Sequence, residues 1–73
     1  MKLPQLRPQK VIKALRKIGF DDARQSGSHL ILVNRATKQI IPIPIHNKDL
    51  KKGLLSAIIK ETSLTLEKFL KLL

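Results

Sequence analysis

Val11, Ile12, Leu15 and Ile18 recur every three or four positions, the spacing of a single helix face. Lys10, Lys13, Arg16 and Lys17 fall on the other side, so residues 8–19, PQKVIKALRKIG, are predicted to form an amphipathic helix with a solvated basic face. Pro8 suits the first helical turn, where its missing N–H is not needed. Gly19 is placed to end the helix in a left-handed conformation, with Phe20 folding back as the apolar contact. The hydrophobic period then shortens. Extended segments are expected at Phe20 to Gln25, His29 to Val33 and Gln39 to Ile45. Ser26-Gly27 supplies the first turn, and Asn34 to Lys38 a polar hairpin loop.

The third segment carries its own positional evidence. Pro42 and Pro44 stand two apart, so both missing N–H groups lie along one lateral edge. A central strand could not lose two ladder donors, so this strand is expected at the edge of the sheet, where the prolines also block pairing with a second molecule. Side chains alternate faces, so register decides which residues share a side. Placing Val33 opposite Ile40 leaves a six-residue connection from Asn34 to Gln39 whose ends can pair, and sets Ile31 against Pro42 and His29 against Pro44, with His46 diagonally beyond. Leu30, Leu32, Ile41, Ile43 and Ile45 then form the core face. A slip by one residue would bury His29 among the isoleucines. His29 and His46 are therefore expected on the same, helix-free face.

The remainder is helical in pattern. In DLKKGLLSAIIKET, Leu50, Leu54, Leu55, Ile58 and Ile59 are expected to face inward. Gly53 costs about 1 kcal/mol relative to Ala inside a helix, which points to close packing or to a helix beginning there. Thr65 is placed to cap a last short helix, LEKFLKLL, with Leu66, Phe69, Leu70 and Leu73 inward. The expected fold is a single α+β domain over residues 1–73, ordered α-β-β-β-α. A three-stranded antiparallel sheet would pack on two helices, followed by a short C-terminal helix.

Composition narrows what such a fold can do. A chain of 73 residues hides only about 60% of the surface its unfolded form exposes, so it has one modest core. Phe20 and Phe69 are its only aromatics, and the core is expected to be largely aliphatic. The absence of cysteine excludes a disulfide framework and a cysteine nucleophile, and fits a reducing compartment. No apolar run is long enough for a signal peptide or a membrane span, so a soluble cytoplasmic protein without a membrane partner is expected. Fifteen Lys and Arg against five Asp and Glu give a net charge of +10. That field attracts polyanions, either nucleic-acid phosphate or an acidic protein. With so few aromatics, readout by base stacking is disfavoured and contact with the phosphate backbone is expected.

The acids Asp21, Asp22, Asp49, Glu61 and Glu67 are scattered, and Asp21 and Asp22 would point to opposite faces of a strand. They read as solvated turn and cap residues, not as the converging carboxylates of a two-metal nuclease. No metal site and no cofactor are expected. Ser28 and His29, adjacent on a strand, diverge too far for nucleophilic catalysis. What remains is a histidine on a strongly positive surface, and RNA supplies its own nucleophile. Imidazoles titrate at about 6.5 in short peptides, so a histidine can take the proton of a ribose 2′-OH at neutral pH. Arg24, Lys48 or a backbone N–H near Gly27 could stabilise the charged phosphate. Gly27 and Ser28 would form an open turn beside it. His46 is a candidate general acid, with strand capping or phosphate binding as its other readings. A purely structural histidine is the competing reading of His29.

RPQKVIKALRKIGF, then RQSGSH, then PIH at 44–46 and LKKGLLSAIIKETSLTLEKFLKLL follow one another in this chain. In that order and spacing the blocks resemble the HicA family of mRNA interferase toxins (YcfA-like proteins), whose fold is similar to a double-stranded-RNA-binding domain. The resemblance runs from about Leu6 to Leu73. It implies an RNA-cleaving toxin held inactive by a HicB-type antitoxin, with the catalytic histidine falling on His29. Glu61-Thr62-Ser63 departs from the family's usual Gln-Ala-Gly-like turn, and the third strand is unusually rich in isoleucine. A non-catalytic RNA-binding module of the same fold is the alternative reading.

Overall fold

The computed structural model describes residues 4–45 and 48–73. Its elements run α1 (Pro8–Lys17), β1 (Phe20–Ser26), β2 (His29–Asn34), β3 (Gln39–Pro44), α2 (Lys52–Glu61) and α3 (Leu66–Leu70). The order is the expected α-β-β-β-α, with the short terminal helix. The strands form one antiparallel sheet ordered β1-β2-β3. Helix α1 packs on β1 and β3, and α2 packs on β3. Among the described residues, no helix is long and apolar enough to cross a membrane.

The β2–β3 register matches the alternation of the sequence: His29 pairs with Pro44, Leu30 with Ile43, Ile31 with Pro42, Leu32 with Ile41 and Val33 with Ile40. Leu32, Ile41 and Ile43 are consequently buried beneath the helices. β3 is the edge strand its prolines required. The Ile45 N–H donates to the Ser28 carbonyl at 2.7 Å, which sets the odd residues of β3 as the ones bonded toward β2. Donors alternate sides along a strand, so the nitrogens of Pro42 and Pro44 face the open edge. β1 carries a bulge between Asp22 and Arg24, where Ala23 is left without a partner on β2.

The core is aliphatic around two aromatic anchors. Phe20, Phe69, Leu15, Leu32, Ile43, Leu55, Val11 and Pro8 are all fully buried. Helix α1 ends as expected: Gly19 follows it at φ +103°, and Phe20 turns into the core. A bidentate pair, Arg16 Nε and Nη2 to Asp22 Oδ1 and Oδ2 at 3.1 and 2.6 Å, fastens the end of α1 to β1. This hydrogen bond and the carboxylate charge hold the Arg16 guanidinium above its ordinary pKa. Lys17 Nζ donates to the Leu72 carbonyl, tying α1 to the chain end. Two cations of the basic face of α1 thus make internal contacts, while Lys10 and Lys13 make none among the described residues.

Several details depart from the sequence pattern. Helix α2 begins at Lys52, three residues after Asp49, because Lys51 is extended (φ −64°, ψ 144°). Asp49 lies 3.7 Å from the Arg7 guanidinium, and the Leu50 N–H donates to the Leu6 carbonyl at 2.7 Å. Leu50 is buried, but through this pairing with the N-terminal segment and not through a helix face. The inward stripe of α2 then centres on Leu55, Ile58 and Ile59, and Leu54 is left 37% exposed. Gly53 sits in the first turn with open space where a side chain would be, so it marks a helix beginning and not close packing. In α3, Thr65 Oγ1 accepts from the Lys68 N–H as the expected cap. Leu73 points outward instead of inward, because helix α3 stops at Leu70 and the chain turns; Leu72 packs on the core in its place. Asn34, grouped with the polar hairpin loop, pairs with Gln39 as the connection's ends could, and is the buried last residue of β2.

Candidate functional site

A two-residue loop, Gly27-Ser28, joins the paired residues Ser26 and His29. Gly27 has φ +59° and Ser28 does not share a positive φ. A positive φ at only the first loop position is the type II′ pattern, whose twist suits a two-residue hairpin and which favours Gly there. A side chain at Gly27 would meet nothing within 4 Å, so conformation and not crowding calls for glycine. The Gln25 side-chain amide donates to the Gly27 carbonyl at 3.3 Å and steadies the turn. The turn is open to solvent on both residues.

His29 opens β2 immediately after this turn and is exposed. It lies between Ser26 on β1 and Pro44 on β3. Cross-strand partners share a face, and Pro44 and Pro42 stand opposite in parity to the buried Ile41 and Ile43. His29 therefore lies on the helix-free face, not in the aliphatic core. Arg24 pairs with Ile31 on the same face, one diagonal step from His29. Such diagonal neighbours lie about 7–8 Å apart, within reach of a long side chain. A phosphodiester seated over Ser26 and Ile31 would have imidazole on one side and guanidinium on the other. Both side chains are exposed and can meet it.

Ser28 contributes its carbonyl to the Ile45 bond, which pins the exit of β3 beside the turn. Lys48 is exposed in the connection from β3 to α2, three residues beyond Ile45 in sequence. Gly27, Ser28, His29 and Arg24 are thus brought together by the β1–β2 hairpin, with Lys48 on the neighbouring connection. His46 lies outside the described residues.

Asp21 pairs with Val33 on the open face, and Asp22 pairs with Leu32 on the helix side, so the two carboxylates diverge. Asp22 is engaged by Arg16, and Asp49 by Arg7. Among the described residues, no three His, Asp or Glu side chains converge as metal ligands would.

One feature of this surface escaped the sequence pattern. Ile40, Ile41 and Pro42 of β3 line a groove with Leu54, Ala57, Ile58 and Glu61 of α2. Leu54, Ala57 and Glu61 recur at helical spacing beside the core stripe, a signal masked by assigning Leu54 to the core. No curated protein matches the chain significantly. The family model described as HicA toxin of bacterial toxin-antitoxin matches residues 8–64, most of the chain and every element but α3.

Proposed function

Since the chain belongs to the HicA toxin family of bacterial toxin–antitoxin systems, with an antitoxin as its partner, we propose that it is a metal-independent endoribonuclease that cleaves mRNA in the cytoplasm. The observation that carries this reading is the exposed His29 on the open sheet face, beside an open turn and one diagonal step from Arg24. The imidazole of His29 takes the proton from a ribose 2′-OH. The 2′ oxygen then attacks the adjacent phosphorus, and the bond from phosphorus to the 5′ oxygen breaks. The products are a 2′,3′-cyclic phosphate and a 5′-OH end, the leaving oxygen gaining a proton from a general acid. His46, two residues beyond Pro44 in sequence, is the candidate for that acid. Arg24, Lys48 and the backbone N–H groups near Gly27 and Ser28 offset the charge that gathers on the phosphate. The antitoxin of this reading is of the HicB type, and it silences the enzyme by covering the basic face.

Replacing His29 with Ala tests the assignment. General-base catalysis contributes about 10²- to 10⁴-fold, so cleavage should fall by that factor. RNA affinity and the unfolding midpoint should hold, because an exposed substitution away from the core shifts stability by no more than about 0.5 kcal/mol. A His29→Ala protein that cuts RNA at the wild-type rate removes His29 from the chemistry.

A further inference from the structure

The groove between β3 and α2 encloses about 220 Å³. Its lining is aliphatic apart from Glu61 at one end, where the Gln39 side-chain amide donates to the Glu61 carbonyl. Ile40 is 63% exposed and Leu54 37% exposed at its rim, which makes them two of the most exposed large apolar side chains described. Such a strip offers phosphate nothing, since it has no donors to give. It does suit apolar side chains from another protein.

What kind of segment fits follows from the edge itself. An added strand needs main-chain donors along β3, but Pro42 and Pro44 remove them from the outward side. A helix satisfies its own backbone and needs none. Around the groove, Lys38 precedes β3, while Lys51 and Lys60 stand three residues before Leu54 and three after Ala57. Residues three apart on a helix are neighbours, so Lys60 sets an exposed ammonium beside the apolar strip of α2, while the exposed Lys51 stands just before the helix begins. In a chain of net charge +10 these lysines favour an acidic partner.

We propose that this groove seats an acidic amphipathic helix of the antitoxin, with its apolar side chains between Ile40 and Leu54 and its carboxylates toward Lys51 and Lys60. The proposal rests on the toxin–antitoxin membership and not on the nuclease mechanism. Ile40 and Pro42 belong to the same outward side of the sheet as Ile31 and His29. A partner anchored in the groove and extending across that face covers His29, which couples tight seating to silencing.

Calorimetric titration of the full chain with its full-length cognate antitoxin tests this. Ile40→Glu and Leu54→Glu each place a charge on an exposed position, so both should fold, as an unchanged unfolding midpoint would verify. Each should weaken the antitoxin complex at least about tenfold, the effect of losing one well-seated apolar anchor. The pair Lys51→Glu/Lys60→Glu should weaken it as well, with a smaller loss at high salt. The free Leu54→Glu protein should cut RNA as the unmodified chain does. Antitoxin affinity unchanged in both groove variants overturns the proposal. So does loss of RNA binding with antitoxin affinity intact, or a groove variant that instead dissociates a homodimer. A chain that cuts no RNA at all sinks the nuclease reading, yet leaves this affinity measurement to be made.

Discussion

The amide of Asn34 ties three segments together. Its Nδ2 donates to the Ile18 carbonyl at 3.4 Å, and its Oδ1 accepts from the Ala36 and Thr37 N–H groups at 3.0 and 3.3 Å. It therefore closes the β2–β3 turn and holds the end of α1 against the sheet, from a position 7% exposed. Removing the amide leaves these groups unpaired in a part-buried setting, and each such loss costs about 1–3 kcal/mol. Asn34→Ala should accordingly lower stability to urea by about that amount, whereas no change would show that water replaces the side chain. Nothing in the residue's type announced this. Asn stands before a polar run, and turn residues of that kind are exposed more often than buried, so polarity pointed to the loop. His29 was legible for the opposite reason, because its neighbours Leu30 and Leu32 had to face the core and alternation then put it outside.

Helix α2 ends with Thr62 as its cap, followed by Ser63 at φ +62°. That backbone region costs a residue with a Cβ roughly 1–2 kcal/mol, and glycine avoids the cost. Glycine also loses more freedom on folding, so Ser63→Gly should stabilise the domain by only about 0.5–1 kcal/mol. In a chain of this length that corresponds to a rise in Tm of a few degrees, about 4–8 °C per kcal/mol. A thermal melt that moves down would mean that the Ser63 side chain makes a contact worth more than the strain. The place of this turn was visible as the departure from the family's glycine, but its handedness was not. The sheet was the most legible element, since two prolines and alternating isoleucines admit one register. The start of α2 was the least. Asp49 looks like a helix opening, yet its carboxylate faces Arg7 and the helix waits for Lys52. Pairing between the N-terminal segment and Leu50 is a long-range contact that no local pattern encodes.

At the scale of the whole molecule, a small α+β domain holds its helices on one side of the sheet and leaves the other open, with a charge of +10 spread over it. Two of its five acids are already paired to arginines, so most of the positive field faces outward. If about six phosphates are contacted, affinity for single-stranded RNA should fall with a log–log salt slope near −4. A flat salt dependence would assign the charge to the protein partner alone. In the proposed function, electrostatic attraction would bring the polymer to the open face, where the hairpin leaves His29 exposed. In the proposed chemistry this face breaks RNA through the substrate's own 2′-OH. Incubating the purified full chain with RNA in EDTA, and identifying the new ends, tests it most directly. Cleavage should proceed unslowed by EDTA, with 2′,3′-cyclic phosphate and 5′-OH ends and none at a 2′-deoxy position. Intact RNA, or cleavage that yields 5′-phosphate ends and stops in EDTA, would contradict it.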